Sequence, residues 1–111
     1  MEKAQEKICL VKSNEPFEYT LSMMGGKWRL KILYVLTCLS IARYGELKKN
    51  MEGITHKVLS EQLDDLEKKG IIRREEYPQI PPKVEYSFTE KGKTLIPLIY
   101  AMCDWGEENK A

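Results

Sequence analysis

Thr55, His56, Lys57 and Ser60 stand within six consecutive residues at the start of a helical pattern, and all four carry hydrogen-bond donors. Thr55 suits an N-cap, where its hydroxyl accepts from a first-turn N–H. A helix start also leaves backbone N–H groups unpaired and carries the positive end of the helix dipole. Side-chain donors, backbone donors and one ammonium group therefore gather at one point, which suits contact with anions and base edges. Farther along come Glu61, Asp64, Asp65 and Glu67. Laid lengthwise on a polyanion this helix would be repelled, whereas its first turn can approach one end-on. The layout predicts a helix that enters a DNA major groove N-terminus first. The bland alternative is a solvated surface helix held by i,i+4 pairs. Asp64 with Lys68 is such a pair, but it supplies only about 0.2–0.5 kcal/mol and does not account for the layout.

Other chemistry finds little support. His56 is the only histidine, and no nucleophile elbow or Gly-rich phosphate loop accompanies it. Cys9, Cys38 and Cys103 are odd in number and far apart, without a C-x-x-C pair. This argues against a disulfide framework or a zinc site, so no enzyme, cofactor or metal is expected. Cys38 and Cys103 fall on helices and are expected to be buried and inert. Net charge is only +1, yet residues 27–57 hold seven basic side chains against two acidic ones. That asymmetry predicts a basic face on a near-neutral domain. Apolar residues make up 42% and charged residues 32%, as in ordinary soluble domains, and 111 residues suggest one domain. The apolar runs are too short for a membrane span, and the N-terminus has no signal-peptide pattern, so the expected location is the cytoplasm.

The elements that must position these residues follow from periodicity. Pro16 suits a first helical position, and Phe17, Leu21 and Met24 then share a face. Gly25-Gly26 breaks this helix. A second, Lys27–Leu39, places Trp28, Ile32, Val35 and Leu36 on one stripe with Leu33 beside it, so Trp28 reads as packing. Residues 43–51 form a short third helix with Tyr44, Leu47 and Met51 on its inner face. The fourth helix, about 55–69, has both ends marked. Ile54 and Leu59 form a hydrophobic staple at its start, and Gly70 and Ile71 make a Schellman end. The third and fourth helices with their tight connection read as a helix-turn-helix. The period then changes to two over residues 71–77 and Lys83–Phe88, which predicts a hairpin wing at about 71–88. Its tip, Pro78-Gln79-Ile80-Pro81-Pro82, is stiff, and Lys83 is its cation. Thr89 then caps a last helix, in which Pro97 marks a bend or an altered first turn. The fold class is mainly α with a small β-hairpin, in the order α-α-α-α-β-β-α.

Three stretches now carry a family resemblance: EPFEYTLSMMGGKWRLKIL, RYGELKKNMEGITHKVLSEQLDDLEKKGIIRREEY, and IPPKVEYSFTEKGKTL followed by Trp105-Gly106. In that order they resemble the HxlR-type winged helix-turn-helix transcriptional regulators over residues 15–106. The resemblance implies a homodimer on near-palindromic double-stranded operators. It places Arg43, Thr55, His56, Lys57 and Ser60 on the DNA side and Lys83 on the wing. Many members carry a cysteine directly before the proline of the first helix, where a thiolate is favoured. Here that residue is Glu15, which cannot be oxidised, and Cys9 lies six residues earlier.

Leu95, Leu98, Ile99, Met102 and Trp105 recur at helical spacing, and Phe17, Leu21 and the Cys9-Leu10-Val11 island add further apolar surface. Together they exceed what one small core needs. They are expected to form a dimer seam through the N- and C-terminal helical segments of the single domain. The leading expectation is a dimeric, sequence-specific DNA-binding transcriptional regulator in which Lys48, Lys49 and Lys83 hold phosphates and His56 and Lys57 lie nearest the bases. The rivals are a winged protein-interaction module and a redox or electrophile sensor acting through Cys9. Operator, target genes, sign of regulation and small-molecule effector are not encoded legibly.

Overall fold

The computed structural model describes residues 15–111. The seam roles expected of Cys9 and Leu10, and the thiol chemistry considered for Cys9, lie outside the described residues. Helices α1 (Glu15–Met24) and α2 (Lys27–Leu39) lead into strand β1 (Ile41–Arg43) and helix α3 (Tyr44–Lys49). Helix α4 (His56–Lys68) is followed by the hairpin β2 (Ile72–Tyr77) and β3 (Lys83–Phe88), then α5 (Glu90–Lys93) and α6 (Ile96–Asn109). The sheet is antiparallel with order β1-β3-β2.

The core lies between α2, α4 and the sheet. Ile32, Leu33 and Leu36 of α2 meet Leu59, Leu63 and Leu66 of α4, and all six are essentially inaccessible to solvent. Each leucine so buried contributes about 1.5–3 kcal/mol. Trp28 packs half-buried against this core, as its stripe predicts.

Helix α4 has the ends its sequence specifies. Thr55 Oγ1 accepts from the Val58 N–H at 3.1 Å. Ile54 and Leu59, the staple positions, are both buried. At the other end, Gly70 takes φ 75°, its N–H donates to the Glu67 carbonyl, and the Ile71 N–H donates to the Leu66 carbonyl, each at 3.0 Å. This is the double bond pattern of a Schellman motif. It uses the Ile71 amide, so β2 starts at Ile72, not at 71 as expected.

Three further differences from the sequence reading have local causes. Strand β1 was not expected. It is three residues long and exists through pairing with β3 in the register Ile41↔Ser87, Ala42↔Tyr86 and Arg43↔Glu85. Helix α3 stops at Lys49, and Met51 is buried from the following turn. The last helix is two helices. Thr89 caps the four-residue α5, accepting from the Gly92 N–H at 3.0 Å, and α6 restarts with Pro97 in its first turn. There the absent proline N–H costs nothing. Ser40, between α2 and β1, has φ 68° without being glycine. A non-glycine residue held at such an angle stores about 1–3 kcal/mol.

Candidate nucleic-acid interface

Helix α3, the turn over residues 50–55 and α4 form the helix-turn-helix. Gly53 at φ 88° makes the reversal, a conformation that costs glycine little. The Ile54 N–H donates to the Met51 carbonyl at 3.1 Å, and Lys48 Nζ donates to the Ile54 carbonyl at 3.3 Å. Lys48 thus braces the turn. The Arg43 N–H donates to Glu46 Oε1 at 2.9 Å, which fixes the start of α3.

Thr55, His56 and Lys57 are exposed at the first turn of α4, and Ser60 is half-buried one turn on. By helix geometry the N–H groups of His56 and Lys57 have no partner within the helix. His56 is not free to rotate. The Tyr44 hydroxyl lies 2.5 Å from its Nδ1, and the two rings meet edge-on at 5.3 Å. With Tyr44 donating, a neutral imidazole carries its proton on Nε2 and presents an N–H. Tyr44, read from sequence only as a packing residue of α3, therefore positions a residue of the candidate interface. Its twelve-residue separation from His56 gave no local signal.

The acids of α4 are partly anchored from the opposite side. Asp65 pairs with Arg29 of α2 and, at 3.2 Å, with Lys69. Arg29 Nε also donates to Gln62 Oε1 at 3.2 Å, and its NH1 donates to the Ser22 carbonyl at 2.6 Å. Lys69 Nζ reaches the same carbonyl at 3.1 Å. Helix α1 has no basic residue in its last turn, so Arg29 and Lys69 supply the cations its C-terminal end favours. The Asp64–Lys68 pair of the rival surface-helix reading does not form among the described residues; Asp65 and Lys69 form an i,i+4 pair. The basic 27–57 segment is also divided. Arg29 is committed to Asp65, while the ammonium groups of Lys27 and Lys31 lie 4.6 and 5.4 Å from the Trp28 ring centre.

On the wing, Lys83 pairs with Glu85 at 3.2 Å and stands 5.0 Å from the Tyr77 ring centre. It is half-buried at the base of the tip, where the sequence suggested a free cation at its end. The tip itself presents Ile80, which is fully exposed. The Tyr77 phenol is raised above its ordinary range, first by desolvation and then by Glu75 and Glu85, so it stays a neutral O–H. Arg74 is raised chiefly by its hydrogen bond with Tyr86 and pairs with Glu76 at 3.2 Å.

The apolar stripe expected at a dimer seam splits in two. Leu95 and Ile99 sit in the protomer's own core, because α6 packs them against α2, and they have little surface left for a partner. Phe17, Leu21, Leu98, Met102 and Trp105 remain exposed, Trp105 by 69%. A cleft of about 250 Å³ between α2 and α6 is lined by Leu30, Tyr34, Met102 and Cys103. Cys38 and Cys103 are exposed, contrary to the expected burial, and Cys103 is reached by solvent through the open cleft that it lines. The Tyr34 phenol is raised first by its hydrogen bond to Cys38, then by the charges of Cys38 and Cys103.

Among the described residues, no cluster of three metal-ligating side chains occurs, and no helix is long and apolar enough to cross a membrane. The chain's sequence matches the model of the HxlR-like helix-turn-helix family over residues 23–111. The chain belongs to the HxlR-like family. It is 56% identical over 91 residues to the HTH-type transcriptional regulator YdzF of Bacillus subtilis, covering 82% of this chain and 84% of that one. The HTH-type regulator BH0655 of Halalkalibacterium halodurans is 50% identical over 95 residues, covering 86% and 84%. Among solved structures, the redox regulator HypR in its oxidized form is similar with a TM-score of 0.78 and 45% identity, over 86% of this chain and 98% of that one. This HxlR-like protein is accordingly a helix-turn-helix transcriptional regulator of the DNA-binding class, with a winged fold and no enzymatic role. The structure brings Tyr44, Thr55, His56 and Lys57 together at one exposed edge of that fold.

Proposed function

We propose that the protein binds near-palindromic operators as a homodimer, with the first turn of α4 in the major groove and the β2–β3 wing against the flanking duplex. The observation that carries this reading is the exposed first turn of α4, capped by Thr55 and with His56 held by Tyr44, while Asp65 is drawn back by Arg29 and Lys69. Lys57 and His56 lie nearest the bases, and Arg43, Lys49 and Ser60 contact the backbone around them. Lys48 assists by holding the turn, and Lys83 reaches phosphate by loosening its bond to Glu85. Ile80 at the tip suits an apolar contact in the minor groove. The exposed apolar residues of α1 and α6 support the dimer seam. Two protomers would then set their α4 helices about 34–36 Å apart. In vitro selection of bound duplexes tests all of this. Recovered sites should contain two inverted half-sites centred about one helical turn apart, and a pool without enrichment would refute the reading.

A thiol-sensing role is a second reading, supported by the likeness to HypR, itself named a redox regulator. Glu15 in place of the cysteine before Pro16 weighs against it. Loss of duplex affinity with diamide, absent in Cys9→Ser, would support such a role through Cys9; equal behaviour of both proteins would remove Cys9 from it.

A further inference from the structure

Away from α4, a cleft of about 390 Å³ lies where the end of α2, β1, the wing strands and the start of α6 meet. Its size falls within the roughly 300–1,000 Å³ of small-molecule sites. Leu36, Phe88 and Ile96 form an apolar floor. The polar rim comes from Arg73, Ser87, Ser40 and Lys93. Arg73 and Ser87 are direct cross-strand partners, and Ser87 is in turn paired with Ile41, so one row of the sheet forms one wall.

The donors of this rim are unusually free. The Arg73 guanidinium has no ion pair or hydrogen bond among the described residues, although arginine commonly finds a carboxylate. Nor do the hydroxyls of Ser40 and Ser87 have a partner among the described residues. Lys93 shares its ammonium with Glu90 at 3.2 Å, an exposed pair that holds it loosely. Glu75 also lines the cleft. Lys93 is matched by Glu90, so Arg73 is the one cation of the lining without a carboxylate bound to it, and Glu75 is the lining's one acid. One negative charge neutralises Arg73, whereas a second would face Glu75 without a cation.

We propose that this cleft binds an organic monocarboxylate with an apolar body, its carboxylate on Arg73 with hydrogen bonds from Ser40 and Ser87, and its body against Ile41 and Ile96 above the buried Leu36 and Phe88. Such a ligand touches both the wing and the root of α6. As an effector it would link wing position to the α6 seam, a role that rests on the DNA-binding reading above.

The test uses the full chain without DNA. Benzoate, phenylacetate and hexanoate are each titrated while backbone amide NMR shifts are followed, with benzamide as the uncharged control. At least one acid should shift the amides of Ser40, Arg73 and Ser87 saturably, and benzamide should not. Arg73→Gln, at an exposed position, should keep the native spectrum and weaken that acid about tenfold or more. No saturable shift with any of the three acids would overturn the site, as would equal binding of benzamide or full affinity in Arg73→Gln. A second arm measures duplex affinity with and without the bound acid. A change supports the effector role, and no change removes it. Lys57→Ala separates the two readings, since it should lose duplex affinity and keep acid binding.

Discussion

The Tyr44 hydroxyl sits 2.5 Å from Nδ1 of His56, joining the first residue of α3 to the first residue of α4. One phenol thereby fixes the direction of the histidine that leads the proposed reading helix. Replacing Tyr44 by Phe should leave stability within about 1 kcal/mol, because the pair is exposed, and weaken specific duplex binding about three- to tenfold. Fluorescence anisotropy on a selected operator measures this. Unchanged affinity would mean that His56 does not need its anchor.

Lys57 and Lys83 should fail differently. Lys57→Ala should cost about 1–3 kcal/mol of affinity for the selected operator and little for random duplex. Lys83→Ala should weaken both and lower the slope of log K against log salt by at most about one. Its shared bond with Glu85 makes a smaller change reasonable. Titration at several salt concentrations separates the two signatures.

Arg29 holds three acceptors, on Asp65, Gln62 and the Ser22 carbonyl, and its side chain is 14% exposed against 38% for Asp65. Arg29→Ala should destabilise the protein by about 2–3 kcal/mol, as expected when hydrogen bonds to a charged, mostly buried group are lost. Asp65→Ala should cost less, about 1 kcal/mol, because solvent screens the carboxylate and Lys69 keeps the Ser22 carbonyl. Urea unfolding gives both numbers, and the reverse order would contradict the clamp.

Gly92 has no room for a side chain. A Cβ there would lie 2.0 Å from the Ile71 carbonyl oxygen and 2.8 Å from a Phe88 ring carbon. Gly92→Ala should therefore destabilise by about 1–3 kcal/mol or more through overpacking against backbone. Gly106→Ala, with open space around it, serves as the tolerant control on α6. A melting curve for each variant decides the matter.

Trp105 and Met102 are the exposed part of the α6 stripe. Met102→Glu with Trp105→Ala should give a monomer by light scattering while the far-ultraviolet spectrum stays native. Specific duplex affinity should fall with it, since two half-sites then bind separately. A dimer of unchanged mass would place the seam elsewhere.

Local marks made much of this fold legible in the sequence. Thr55, Ile54 and Gly70 act within one turn of the ends of α4, so its limits could be read from neighbours in the chain. The strands 72–77 and 83–88 announced themselves by alternation. What escaped notice depends on partners far away. Strand β1 has three residues, too few for any period, and exists because β3 pairs with it. Arg29 meets Asp65 across 36 positions. The stripe on α6 showed apolar spacing, but spacing alone does not say which side faces α2. Leu95 and Ile99 therefore went into the core, while Cys103, expected to be buried, lines an open cleft.

Thr89 ties more together than its cap of α5. Its hydroxyl also donates to the Gly70 carbonyl at 2.6 Å, and its N–H reaches the Ile71 carbonyl at 3.1 Å. The exit of α4, the root of the wing and the route toward α6 are thus knotted at a single residue. The root of the wing and the end of α4 therefore share one set of hydrogen bonds, so a shift of either is felt first at that residue. If α4 and the wing meet DNA as proposed, new target preferences on this scaffold would arise chiefly by exchanging side chains on those two elements while Thr89 keeps them joined.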